Sequence, residues 1–370
     1  MAIYKSFADI PDLFSKSIRN SGTASLFCSQ QWFENYIRTV VPDQERVSIF
    51  ATSSGEMPET AVLLPLYDEG RGARLSPRIL CALANFYSSQ FDLMWTRGAD
   101  VPSKSIHDIV SEIVSTKPAW DVVRISPCRS DSLTYRQLLD AFSSNRWAVQ
   151  EFHCFKNLYL KNNYQDFESF LASRSSRIRK TAANRARKFD RNPSSSFNII
   201  TRVDELEEGI NLFSKLYEKR WKKSEPYPDF LPGLARLCAE NGWLRLGIAS
   251  MDGRPAAAQF WIIKDSTAYI YKVAYEEEFT KLSVGAVALF KMFQHVLNHE
   301  NVREIDFLTG DDAYKKDWMS HSREMVGLVA FNKHSVRGLA SASWHIGGRT
   351  LKVKLASSVA SKYRTDKVGQ

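Results

Sequence analysis

The sequence predicts an α/β fold of two units in tandem, and three observations carry that expectation. Between about residues 24 and 160, runs with strand character alternate with helical runs, as in layered α/β folds. After residue 243, three strand-like runs follow one another across the short turns Asp252-Gly253 and Lys264-Asp265-Ser266. An apolar helical run then leads to a further strand at 304–308 and to a polar turn at Gly310. The expected units are residues 1–160 and 161–339, followed by a basic tail at 340–370.

In the first unit, Ser29 is a helix N-cap, because a short hydroxyl there can accept from the backbone two or three residues on. Trp32, Phe33 and Tyr36 then fall on one side of the helix. Strands are expected at 47–51 and 61–67 around a Gly55 turn, at 122–126 and at 154–160, with helices at 106–115 and 133–144. The second unit opens with helices at 165–190 and 203–221. Strands at 243–251, 256–263 and 267–274 form a meander, since Asp-Gly between apolar runs signals a hairpin. A polar loop at 275–283 precedes a helix at 284–299, where Leu289, Met292, Phe293 and Val296 keep helical spacing. Strands at 304–308 and 325–332 flank the motif turn.

Composition narrows the function classes. The chain has 370 residues, 44% of them hydrophobic, and its apolar stretches all fall short of the ~18–20 residues of a membrane span. The N-terminus lacks an apolar signal core, so the cytoplasm is the expected location. Cys28, Cys81, Cys128, Cys154 and Cys238 are far apart and odd in number, which suits thiols in a reducing compartment. His295 and His299 have metal-ligand spacing on a helix but no third ligand nearby, so a surface pair is expected and no metal site. Residues 174–191 hold eight Arg/Lys and one Asp, so +7 of the chain's net +9 sits there. The tail, with Lys352, Lys354, Lys362, Arg364 and Lys367, offers at most a peripheral contact to anionic lipid.

The densest chemistry lies between Asp306 and Trp318. Thirteen residues there hold four carboxylates, a phenol, two ammonium groups and an indole at a strand end, where α/β folds keep their sites. Asp306, Phe307, Gly310, Asp311, Tyr314, Lys315 and Trp318 resemble the Asp-Phe-x-x-Gly-Asp-Glu-x-Tyr-Lys-x-x-Trp segment of the CelD-like acyltransferases, with Asp312 in place of the Glu. These are a branch of the GNAT superfamily related to the Fem-type aminoacyl transferases. The resemblance covers residues 165–325. It implies tandem GNAT-like domains with mixed, mostly antiparallel sheets flanked by helices, the first domain degenerate.

Further segments complete the candidate site. The helix start at Ser283, Val284, Gly285 and Ala286 offers open N–H groups to a pyrophosphate, and Lys281 lies within reach of one. It resembles the Ser-Pro-Gly helix start of the family and occupies the place of the coenzyme A loop. It lacks the full GNAT loop pattern, and the carboxylates of Glu276, Glu277 and Glu278 stand in front of it. Arg177, Arg179 and Lys180 open the basic segment, for which three readings stay open: phosphates of a donor or acceptor, a nucleic-acid backbone, or a solvated face. Arg220 and Trp221 suit an acyl or phosphate pocket, or the edge of a core. Tyr87, in an aromatic and hydroxyl-rich loop, lines an acceptor cleft or fills a buried turn.

The resemblance implies acyl transfer from a thioester, acyl-CoA as co-substrate rather than a tightly bound cofactor, to an amine and less readily a hydroxyl. The acceptor is a small molecule or glycan-linked. Asp311 is the first candidate base and Asp306 the second. Tyr314 would protonate the departing thiolate, and Lys315, near Trp318, would hold a phosphate or carboxylate. The edge amides of Lys272, Val273, Ala274 and Tyr275 would polarise the thioester carbonyl. Two alternatives remain: a Fem-type transferase using aminoacyl-tRNA, which is not favoured, and a non-catalytic binding module in a polysaccharide-export pathway. A place in polysaccharide or envelope metabolism is implied by the family label alone.

Overall fold

The computed structural model describes residues 1–11, 25–54, 60–70, 76–96, 101–221 and 225–345. The tail beyond residue 345 and its basic residues lie outside them. In chain order come β1 (Ala2–Tyr4), α1 (Gln30–Val40), β2 (Val47–Ser54), β3 (Thr60–Gly70), β4 (Ile79–Ala82), β5 (Met94–Trp95), α2 (Ser103–Ser115), β6 (Val122–Arg129), α3 (Leu133–Ser144) and β7 (Ala148–Lys161). There follow α4 (Phe167–Ala172), a π-helical turn (Arg177–Ala182), α5 (Ala183–Arg191), β8 (Ser195–Ile200), α6 (Leu206–Trp221) and α7 (Phe230–Glu240). The chain continues with β9 (Leu244–Met251), β10 (Arg254–Lys264), β11 (Thr267–Tyr275), α8 (Val284–His299), β12 (Glu304–Thr309), α9 (Ala313–Trp318) and β13 (His321–Phe331). Among the described residues, no helix is long and apolar enough to cross a membrane.

The chain divides into two compact units. Unit 1 comprises residues 1–23, 43–154 and 326–370, and unit 2 comprises 24–42 and 155–325. Unit 1 orders its strands β1-β2-β3-β4-β6, antiparallel except for the β4–β6 pair, and β5 adds to β3. Its helices α2 and α3 bury Ile106, Ile109, Ile113, Leu138 and Phe142. Unit 2 orders its strands β7-β12-β11-β10-β9-β8, and only β11–β12 is parallel. The fold is thus mixed α/β, with mostly antiparallel sheets flanked by helices.

Unit 2 places helices on both faces of its sheet. On one face Phe167 and Phe170 of α4, Ile178, Ala186 of α5 and Phe293 of α8 pack over Trp261 and Ile270. On the other, Trp32 of α1 meets Phe230 of α7 and Tyr271 of β11, and Phe213 of α6 meets Phe260 of β10. Burial from both sides explains why Ala256–Ile262 in β10 is apolar at every position except Gln259. Ser29 caps α1: its hydroxyl accepts from Trp32 N at 3.3 Å and donates to Leu26 O at 2.7 Å. Ser29→Ala is expected to cost about 1 kcal/mol of stability, read from the denaturant midpoint. A loss below ~0.3 kcal/mol would show that the cap contributes nothing there.

One expectation is corrected, and two elements went unread. The helix expected over 165–190 is interrupted: α4 ends at Ala172, and Arg174 turns back to donate to Trp318 O (3.1 Å) and Tyr164 Oη (2.8 Å). Strand β8 escaped the sequence reading because it is a half-polar strand that pairs with β9 alone. Helix α7 carries Pro232 and Gly233, residues that read as breakers. Gly233 instead permits close packing, since a Cβ there would collide with the side chain of Asn35 on α1.

Candidate functional site

The site begins where two parallel strands part. β11 pairs with β12 only from Thr267/Glu304 to Tyr269/Asp306, and then continues along β10 to Tyr275. Two irregularities shape the gap. Phe260 pairs with Lys272 but Trp261 with Ile270, so Tyr271 is an extra residue in β11. Such a bulge re-aims the side chains around it. In β12, Leu308 has φ 57 and the register against β7 shifts between Asp306 and Thr309. A branched side chain in the left-handed region costs on the order of 1–3 kcal/mol, so the surroundings must hold it there.

A buried polar network does so. Asp306 Oδ1 accepts from Leu308 N at 2.6 Å and from Asn157 Nδ2 at 2.5 Å, and Asn157 Nδ2 also donates to Leu308 O at 2.7 Å. Arg323 pairs with Asp306, reaches Glu304 at 2.9 Å and donates to Asn157 Oδ1 at 2.5 Å. The Asp306 and Glu304 carboxylates raise the pKa of the Arg323 guanidinium, outweighing burial. Asp306 is 4% exposed and its oxygens are engaged in this network. It anchors the turn and does not line the cavity.

That cavity, about 710 Å³, lies wholly within unit 2. Tyr217 of α6, Tyr271 and Lys272 line it, as do Leu289 of α8 and Trp318 of α9. Its wall includes the start of α8: Ser283, Val284, Gly285 and Ala286. Ser283 is left-handed (φ 55, ψ 37) and makes no side-chain cap, so the first turn of this 16-residue helix keeps its positive end toward the cavity. Gly285 lies against Tyr275, whose ring atoms would sit 3.2–3.4 Å from an added Cβ. The buried Gln259 accepts from Trp261 Nε1 at 3.1 Å and reaches Gly285 O at 3.5 Å. Of the acids that precede the helix, Glu276 pairs with Lys219 (2.7 Å) and Glu278 with Arg254 (2.9 Å), which offsets their repulsion of an anion.

The motif turn contributes differently than its sequence suggests. Residues 313–318 form the short helix α9. Tyr314, Lys315 and Trp318 line the cavity, but Asp311 does not; its carboxylate lies 3.5 Å from Lys316, and Asp312 takes the place on the wall. Lys315 is 8% exposed at its side chain and reaches Thr309 O (2.6 Å), Gly310 O (3.4 Å) and Asp312 (3.1 Å). Three donors so directed make it a brace of the turn more than a free cation. Burial and the Asp312 carboxylate push the Tyr314 phenol up to about 12, so it stays protonated at neutral pH. Trp318 is buried, stacked on Phe293 at 4.5 Å.

The remaining expectations divide cleanly. Arg177 lines the cavity, 3.4 Å from Asp317, and Arg185 lines it with no ion-pair partner among the described residues. Arg179 and Lys180 are exposed and off the wall, and so is Lys281. Val273 and Tyr275 line it, whereas Ala274 is buried facing elsewhere. The side chains of Arg220 and Trp221 lie outside those described. Tyr87 is 1% exposed in the core of unit 1 and does not line this cavity. The sequence reading missed Gln259 and Tyr271, and it met Tyr217 only as the start of the run that ends in Arg220–Trp221, without giving it a role.

Burial disfavours the ammonium form of Lys272 and lowers its pKa, opposed by the Glu225 carboxylate. Its Nζ donates to Tyr217 Oη at 3.1 Å. Burial and a hydrogen bond to Glu225 push the Tyr217 phenol up.

Comparison with known proteins agrees with this geometry at the level of fold. No curated protein sequence matches the chain. FemX superposes with a TM-score of 0.58 at 10% identity, covering 89% of this chain and 97% of its own. The C-terminal domain of a protein described as a lysylphosphatidylglycerol synthetase from Agrobacterium fabrum gives 0.53 at 11% identity, covering 90% and 96%. A conserved protein of unknown function from Bacteroides thetaiotaomicron gives 0.55 at 12%, covering 86% and 96%. The chain shares its fold with these structures, and its residues 176–316, which hold most of the cavity, match the acetyltransferase (GNAT) domain family.

Proposed function

We propose that unit 2 transfers an acyl group from acyl-CoA to an amine of a small-molecule or glycan-linked acceptor. The observation that carries this reading is the cavity at the β11–β12 gap, with the positive end of α8 on its wall beside Arg177 and Arg185. A pyrophosphate is suited to the open amides at Val284 and Gly285. The pantetheine arm carries amides of its own, and the edge of β11 beyond Tyr269, not paired with β12, offers N–H and C=O groups to them. The thioester carbonyl would then lie near the Lys272–Tyr275 amides, which stabilise negative charge developing on its oxygen. Tyr314, protonated at neutral pH, supports the departing thiolate as a donor.

A second reading has its own observation. Arg179, Lys180, Arg187, Lys188 and Arg191 are exposed along one segment, a footprint for a phosphate backbone, and FemX shares the fold. Under that reading the donor is an aminoacyl-tRNA. A role in polysaccharide or envelope metabolism rests on the CelD resemblance alone.

Titration calorimetry at several salt concentrations separates the two. Coenzyme A is expected to bind with a shallow salt dependence, because it presents few phosphates. For tRNA each neutralised phosphate adds about −0.7 to −0.9 to the slope of log affinity on log salt. Submicromolar tRNA binding at physiological salt, lost in the Arg177→Ala, Arg179→Ala, Lys180→Ala triple variant, would replace the first reading by the second.

A further inference from the structure

We infer that Lys272 takes the proton from the attacking amine, with Tyr217 and Glu225 as positioning residues. This rests on the acyl-transfer reading above. An amine that arrives as an ammonium must lose a proton before it can attack, and the site must supply the acceptor. The expected carboxylates are poorly placed. Asp306 is buried beneath the turn, and Asp311 meets Lys316 away from the cavity wall. Asp312 and Asp317 reach the wall, but each is held in an ion pair, with Lys315 at 3.1 Å and with Arg177 at 3.4 Å.

Lys272 differs from them in three ways. The bulge at Tyr271 puts Tyr271 and Lys272 side by side on the α6 face of β11, and both line the cavity. Its Nζ is fixed by Tyr217 Oη at 3.1 Å, and that phenol is hydrogen-bonded in turn to Glu225. Its position where β11 has left β12 is beside the edge amides proposed for the thioester. Tyr217 and Glu225 face it from α6 and the residues after it. The other charged or titratable groups on the wall are Arg177, Arg185, Asp312, Asp317, Tyr314, Lys315 and Tyr275. A lysine desolvated here has more of its neutral form at neutral pH than one in water.

Neutral Lys272 removes one proton from the acceptor R–NH3⁺. The freed lone pair of R–NH2 attacks the thioester carbon, and the C=O π pair moves to oxygen. The nitrogen of the tetrahedral adduct releases its second proton to water. The oxygen pair returns, the C–S bond breaks and sulfur leaves with the bonding pair. Tyr314 gives its proton to the thiolate and regains one from protonated Lys272 by way of solvent, so both groups return to their starting forms. The products are an amide and a thiol, with one proton released.

Competitive labelling with acetic anhydride across pH, read by mass spectrometry, tests the environment. Only a neutral amine reacts, so reactivity rises through the pKa. The Lys272 midpoint is expected below the ordinary value of about 10.4. Glu225→Gln should move it lower still, because the lost carboxylate favours the ammonium. Saturating coenzyme A should slow the labelling of Lys272. Role is tested by thiol release from acetyl-CoA with excess methylamine as a probe acceptor. Lys272→Met should lose roughly 100-fold at neutral pH and recover at high pH, where methylamine deprotonates by itself, with an unchanged melting curve. An ordinary midpoint, or a Lys272→Met pH profile parallel to that of the unsubstituted chain, overturns the role of Lys272. If coenzyme A still protects, the donor site stands without it. Neither protection nor heat on coenzyme A titration removes the donor site, and the proposal with it.

Discussion

Arg323→Ala should destabilise the protein by about 3–5 kcal/mol, the largest loss expected from a single substitution in unit 2. The guanidinium is 10% exposed at its side chain and serves Asp306, Glu304 and Asn157 at once. Without it two carboxylates stand close together, one of them 6% exposed, and no cation compensates them. Removing one partner of a buried pair costs more than the pair itself contributes, because the other charge stays desolvated. Asp306→Asn keeps the shape and gives up the charge, so a smaller loss of about 1.5–3 kcal/mol is expected. The measurement is the urea midpoint at constant slope. The two substitutions together should cost clearly less than their sum, since they share one network. A loss below ~1 kcal/mol in Arg323→Ala would show that the network does not hold β12 in its bulged form. Because that network positions Leu308, the destabilised variant should also bind coenzyme A more weakly.

Gly285→Asp should weaken coenzyme A binding by about 100-fold or more while the chain stays folded. A carboxylate beside the open amides of α8 would face pyrophosphate across a few ångströms, and like charges at ~4 Å repel by about 4 kcal/mol at an effective dielectric of 20. Two contributions must be separated. Any Cβ at this position meets the Tyr275 ring at 3.2 Å, so part of the effect is steric. Gly285→Ala carries that part alone and should lose far less affinity. The difference between the two variants, read by calorimetry, is the electrostatic term. Equal affinities for Gly285→Asp and the unsubstituted chain would take the α8 start out of the donor site.

Much of the fold follows from local chemistry. The bounds of α3 and α8 agree with their apolar spacing, residues 133–144 and 284–299. The hairpin turn at Asp252-Gly253 has both residues at positive φ, the geometry that dipeptide favours. These features depend on neighbours within a few positions, so one pass along the chain finds them. The elements that went unread depend on distant partners. The half-polar β8 is a strand because β9 pairs with it, and α7 tolerates Gly233 because α1 packs there.

The candidate site divides in the same way. The sequence by itself singled out segments that the fold then brings together: the 306–318 run, the α8 start, the end of β11 and part of the basic segment all reach one cavity. It could not rank residues within a segment. Asp311 and Asp312 are neighbours of equal chemistry, and only the turn through Leu308 and Gly310 sends one to the wall and the other to Lys316. Asp306 becomes an anchor because Asn157 and Arg323, remote in sequence, close around it. Lys272 turns into the cavity because one extra residue in β11 shifts its face. Side-chain direction and desolvation are set by strands and helices that meet only after folding, and these decide which of several similar groups can act.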